Sequence, residues 1–279
     1  MQLPTIDETH DATLLGPSSE DGTASSIEGL PGWFTLHYQP ELDLDTRSLV
    51  ACEALLRWWH PDFGLLHPGA SLHRTKWDDT LAAVERWALL AALRQAQAWQ
   101  HDGHRLPIAL NVSRRQLGDT GFMGRLTAAL EETGTAPDLL AVDIPLIAFT
   151  KAPVATRRVT IALRNLGITV IADGVSGDRY RTSLEGAALT ALKVPVYAAG
   201  RRRPGLHPSV AAARALAVEL GAEAVAKAVE SEADLVAVRK LGFTRGFGHV
   251  FSPALTAERM SAALAANDPF RADRATVDH

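Results

Sequence analysis

Across residues 33 to 266, short apolar runs of strand length alternate with longer amphipathic stretches. A strand buried on both faces reads as an unbroken apolar run, whereas a helix packed on it shows apolar residues three and four apart. The alternation therefore predicts βα units around a parallel sheet. Two strands are expected within residues 39–58, the second over 50–56, and further strands over 107–112, 140–144, 169–173, 191–194, 222–226 and 246–251. The longest helix is expected over 78–100, started by Asp78-Asp79 and carrying Leu81, Val84, Trp87, Leu90, Leu93 and Ala96 on one stripe. Others are expected over 115–132, 154–166, 208–220, 233–241 and 256–266. Four of these end at Gly134, Gly167, Gly221 and Gly242, as helices do just before the next strand of a repeated βα fold. About eight strands without a break in composition favour an α/β fold closed as one (β/α)8 barrel of TIM type over an open doubly wound sheet. The barrel domain is read as 32–266. Residues 1–31, rich in Asp, Glu, Ser, Thr, Gly and Pro, are expected to form a flexible arm, and 267–279 a polar tail.

Within residues 39–58 a polar turn, Asp45-Thr46-Arg47-Ser48, joins the two strands, and Glu53 and Arg57 interrupt the apolar second one. At a spacing of four they share one face of the strand. On an edge strand they would be a surface ion pair. In a strand buried on both sides each needs a partner, a ligand or a metal.

Composition narrows the classes. At 279 residues and 47% hydrophobic the chain can bury a large core, and its net charge of -4 argues against a nucleic-acid or anionic-membrane surface. The first thirty residues lack the apolar centre of a signal peptide, and no apolar run is long enough to cross a bilayer, so a soluble cytoplasmic protein is expected. Cys52, the single cysteine, excludes an internal disulfide and a thiolate metal cluster and reads as a small core residue. No GxGxxG or GxxxxGK sequence marks a nucleotide loop, and Gly242, Gly246 and Gly248 read as turn and strand-packing residues.

In a parallel barrel chemistry collects at the C-terminal ends of the strands. Glu53, Asn111, Asp143, Asp173, Lys193 and Lys227 each follow an apolar run there. Taken singly each reads as a cap or a loop hydrogen bond; six at equivalent places point to a shared pocket, with acidic and amide oxygens on one side and ammonium groups on the other.

Tyr38-Gln39-Pro40, then Glu53-Ala54-Leu55-Leu56-Arg57-Trp58 with His60-Pro61, then Asn111-Val112-Ser113 followed by Gln116-Leu117, resemble the EAL domain of bacterial cyclic-di-GMP phosphodiesterases. Later landmarks are Leu192-Lys193, Val225-Ala226 with Val229-Glu230, and Phe251-Ser252 with Pro253, so the resemblance runs from about Phe34 to Leu264. It implies a modified TIM-type barrel in which two divalent cations, Mg2+ or Mn2+, activate water to open the cyclic dinucleotide. It also implies the roles of residues. Glu53, Asn111, Asp143 (where the family has Glu) and Asp173 would be metal ligands, Glu53 and Lys193 catalytic, and Gln39, Leu55, Arg57, Asp173 and Lys227 would line the ligand.

The chain departs from the family at several of these places. Ala172 replaces one of two paired aspartates, Pro195 an aspartate, Lys227 and Lys76 glutamates, and Phe247 a glutamine. Glu to Lys exchanges two units of charge beside a dication, so the resemblance with these losses implies a degenerate member without hydrolytic activity and with no metal required for binding. Lys227 would meet a phosphate directly or pair internally with Glu53 or Asp173. Three readings follow: a cyclic-di-GMP receptor, a regulatory module that binds a protein partner, for which Arg201-Arg202-Arg203-Pro204 is a candidate contact, and a phosphodiesterase with residual metal-dependent activity. A homodimer through barrel loops and helices is the assembly the resemblance suggests.

Overall fold

The computed structural model describes residues 24–67, 78–197 and 206–266. Its strands are β1 (Ala24–Ser25), β2 (Trp33–Asp43), β3 (Leu49–His60), β4 (Gly64–Leu66), β5 (Ile108–Asn111), β6 (Leu140–Pro145), β7 (Thr169–Asp173), β8 (Ala191–Pro195), β9 (Glu223–Lys227) and β10 (Arg245–Phe247). Its helices are α1 (Asp78–His101), α2 (Arg114–Gly118), α3 (Phe122–Thr133), α4 (Leu146–Lys151), α5 (Pro153–Asn165), α6 (Arg181–Leu184), α7 (Ser209–Glu219), α8 (Glu232–Lys240) and α9 (Ala257–Ala265).

Seven strands run parallel in the order β3-β5-β6-β7-β8-β9-β10, and β2 closes the barrel between β10 and β3. The closing strand is antiparallel to both neighbours, which departs from the expected parallel sheet. An apolar pattern reports burial and is blind to strand direction, and the short Asp45–Ser48 turn can join only antiparallel neighbours. In that turn Asp43 Oδ1 accepts from the backbone N–H groups of Asp45 (3.0 Å) and Thr46 (2.7 Å), while Arg47 takes a positive φ of 61°.

Period-two alternation divides each strand between two cores. Ala109, Ala141, Ile171, Ala191, Val225 and Phe247 fill the barrel interior, and small residues suit so narrow a space. Their neighbours, such as Ile108, Leu140, Val142, Val170, Leu192 and Ala226, face the helices in a much larger cluster. Cys52 belongs to that outer core, as expected of a small apolar residue.

Gly134, Gly167, Gly221 and Gly242 take positive φ at the helix ends predicted for them. Gly248 is needed for space, since a Cβ there would stand 2.1 Å from the Val229 carbonyl oxygen. The helix expected over 115–132 is broken into α2 and α3 at Asp119, whose carboxylate accepts from Gly121 N–H (2.8 Å) in place of a helical bond. Residues 24–31 depart from the flexible arm expected over 1–31. Ala24 and Ser25 pair with Thr35 and Phe34, and Leu30 is buried against Phe34 and Val84, so a few apolar residues anchor a polar stretch. The rest of that arm and the tail over 267–279 lie outside the described residues, as do Lys76 and Arg201-Arg202-Arg203-Pro204.

Candidate functional site

The alternation that puts alanines inside the barrel puts the next residue but one of each strand at its C-terminal mouth. Asn111 follows Ala109, Asp143 follows Ala141, Asp173 follows Ile171, Lys193 follows Ala191 and Lys227 follows Val225. Register aligns Asn111 with Asp143, Asp173 with Lys193 and Lys227 with Phe247 on adjacent strands. Glu53 lies beside Ala109 and directly opposite Gln39. All six strand-end residues expected to share a pocket are thus brought together.

Two ion-pair groups form there. In the deeper one Lys193, with no exposed surface, donates to Glu53 Oε2 at 2.8 Å and to Asp143 Oδ2, while Asn111 Nδ2 donates to Glu53 Oε1 at 2.8 Å. In the upper one Lys227 donates to both oxygens of Asp173, 2.9 Å each. Between the two internal partners left open for Lys227, Asp173 is the one it holds. The Phe247 ring lies between the ammonium groups, its centroid 5.0 Å from Lys193 Nζ and 6.0 Å from Lys227 Nζ, and its π face favours both cations. This role of Phe247 was not legible as chemistry in the sequence; an aromatic residue at a strand end flanked by lysine-bearing strands was the available signal.

The charges respond to burial and to one another. Burial pushes the Glu53 carboxyl up, but Lys193 and Lys227 outweigh it and hold Glu53 at about 2. Asp143 is pushed up to about 7, by burial first and then by the negative charges of Glu53 and Asp173, against the pull of Lys193. Its Oδ1 is buried without a hydrogen-bond partner. Burial would lower both lysines, yet the surrounding carboxylates win and raise them.

The remaining expected ligand residues lie on the same face as Glu53. Gln39 Nε2 donates to the Ser252 carbonyl (2.8 Å), which fixes its amide at the rim. Leu55 and Arg57 follow two and four residues further up β3. Arg57 is only 8% exposed and donates to the Leu56 carbonyl (3.0 Å). Burial lowers it to about 10, a little offset by Glu53, so it stays charged at neutral pH.

Residues 29–254 match the family model of the EAL domain. The chain belongs to the EAL domain family. Among its relatives is the bifunctional diguanylate cyclase/cyclic di-GMP phosphodiesterase MucR of Pseudomonas aeruginosa, 28% identical over 236 residues, which are 82% of this chain and 34% of that protein. The chain spans less than half the length of the first curated relatives it matches, 34% and 44% of them. A solved PaMucR phosphodiesterase in complex with c-di-GMP superposes with a TM-score of 0.71 at 26% identity, covering 81% of this chain and 94% of that one. The EAL domain of Mycobacterium smegmatis DcpA gives 0.70 at 26% identity, covering 84% and 98%. The modified TIM barrel of the EAL family is therefore the fold, with its reversed first strand.

Two-metal hydrolysis requires carboxylate oxygens that bridge cations about 4 Å apart. The donors of this EAL domain do not fit such a pair. Both oxygens of Asp173 are taken by Lys227, and those of Glu53 by Lys193 and Asn111, which leaves Asp143 Oδ1 as the buried spare oxygen. Among the described residues no three His, Cys, Asp or Glu side chains converge as a metal site. Nor is any helix among them long and apolar enough to cross a membrane.

Proposed function

We propose that this EAL domain acts in cyclic-di-GMP signalling as a receptor or regulatory module that binds the nucleotide without cutting it and without a metal. The charge balance of the mouth carries the reading. The ammonium groups of Lys193 and Lys227 offset the carboxylates of Glu53 and Asp173, and burial together with those neighbouring negative charges favours the neutral form of Asp143. Arg57, whose hydrogen bond goes to a backbone carbonyl, then leaves the mouth net positive. A phosphodiester anion meets cations already in place, so the divalent ions that an all-carboxylate mouth would need are dispensable. An ammonium group has three donors. Lys227 spends two on Asp173 and keeps one for a phosphate oxygen, and Arg57 offers a planar fork suited to the other phosphate. The same ammoniums keep water from being activated, because they supply neither a Lewis acid nor a free carboxylate base. The relatives' names, one of them solved with c-di-GMP, support the choice of ligand.

Calorimetric titration of cyclic-di-GMP, in EDTA and again in excess Mg2+, with the cell contents checked for linear product, tests this. Equal micromolar affinity in both and intact nucleotide are expected. Lys227→Glu, which frees Asp173 and adds a carboxylate, is expected to make binding depend on Mg2+. Metal-dependent turnover by the wild-type chain would refute the reading, and absence of heat in either condition would make the barrel a scaffold for a protein partner.

A further inference from the structure

β3 leaves β5 after Ala54 and pairs instead with β4, so the upper halves of β2 and β3 rise with β4 as an antiparallel wall beside the mouth. The back of the wall is covered. Phe34 stacks on Trp58 (centroids 5.4 Å apart) and packs with Trp87 of α1, beside Leu30 and Val84. Alternation fixes the front, because directly opposed residues share a face. From the mouth upward the front pairs are Gln39 with Glu53, His37 with Leu55, Thr35 with Arg57 and Trp33 with Trp59. The two indoles are half-buried and nearly parallel, inclined by 17° with centroids 6.1 Å apart. Trp33 Nε1 is buried with no acceptor, and Arg57, a buried residue, reaches no carboxylate within ion-pair distance among the described residues.

We propose that the Trp33–Trp59 pair is a stacking platform for a purine base of the nucleotide whose phosphate Arg57 holds. This names a subsite of the receptor proposed above and rests on that reading. Arg57 and Trp59 are two residues apart on one strand face, about 7 Å, a span comparable with that from a nucleotide's phosphate to its base. Indole rings stack on any base through their π faces, so a half-buried pair of nearly parallel rings offers a flat apolar surface beside Arg57. A pair whose only task was to lock the hairpin would bury both rings.

Cyclic-di-GMP binding in EDTA by the wild-type chain, Trp59→Ala and Trp59→Phe, with urea unfolding of each, tests the platform. Trp59→Ala is expected to weaken binding roughly 5- to 150-fold, the range for one lost base stack, with Trp59→Phe retaining most of the affinity. Saturating nucleotide should quench indole emission of the wild-type chain. Wild-type affinity in Trp59→Ala, with only its unfolding midpoint lowered, would overturn the platform and leave the receptor reading standing. If Trp59→Ala does not fold, unquenched wild-type emission at saturation overturns the platform by itself. No binding by the wild-type chain overturns both.

Discussion

The barrel disturbs the protonation of Asp143 and of Glu53, and the signs of the two effects are opposite. Glu53 falls from 4.5 to about 2 on folding, so its contribution to stability is complete above pH 4.5 and is lost as pH falls toward 2. Asp143 rises from 3.8 to about 7, so its contribution is complete below pH 3.8 and is lost as pH rises through 7. Each unit of separation is worth about 1.4 kcal/mol. Asp143→Asn, which cannot ionise, is therefore expected to gain stability relative to the wild-type chain between pH 4 and 7, by a few kcal/mol at most. Urea unfolding at several pH values measures it, and parallel curves would show that Asp143 titrates as an ordinary carboxyl. Which residues gather at the mouth was legible from the sequence, because each followed an apolar run at the same phase. Who pairs with whom was not, since Lys227 could reach either Glu53 or Asp173, and only the folded barrel shows it turned to Asp173, two strands away on β7.

The end of β9 shows how an element carries the site. Ala228, just past Lys227, takes φ of 65°, a left-handed conformation that crowds any Cβ. It is held there from both sides, by Val196 N–H donating to the Lys227 carbonyl (3.0 Å) and Val229 N–H donating to the Phe247 carbonyl (3.1 Å). Ala228→Gly removes the Cβ but loosens the unfolded chain. A net stabilisation of about 0.5–1 kcal/mol is expected, read as a raised midpoint in thermal or urea unfolding, and a loss of stability would place the strain elsewhere. Helix ends were legible because glycine is the cheapest left-handed residue. Ala228 was not, because nothing about an alanine announces the conformation it is forced into. The break at Asp119 escaped for a related reason: the apolar spacing continues through it, while the side chain replaces a helical bond locally.

Closure of the whole barrel depends on β2, and its seam with β10 is made of only two residue pairs. Glu41, 2% exposed, lies at that end and pairs with Arg245 of β10 at 2.6 Å, while Arg245 also holds Glu223 of β9 at 2.9 Å. One guanidinium thus ties three strands across the seam. Arg245→Met would leave the Glu41 carboxylate buried and unpaired, a change that costs about 3–5 kcal/mol. Unfolding of Arg245→Met beside the double variant with Glu41→Gln checks this, since the double variant should recover part of the loss. That eight strands close was legible from their number and uniform composition; that one of them runs backwards was carried only by the brevity of a turn.

The reversed strand also decides where the backbone joins the barrel. Had the first strand run with the other seven, the polypeptide would reach it at the pole opposite the mouth. Instead residues 24–32 lead into Trp33 alongside the wall that bears Arg57 and Trp59. A tug or a steric load applied to the chain ahead of Trp33 is therefore delivered to the pocket's own edge, with no barrel to transmit it through. The wiring of input to pocket is in this sense as short as the fold allows.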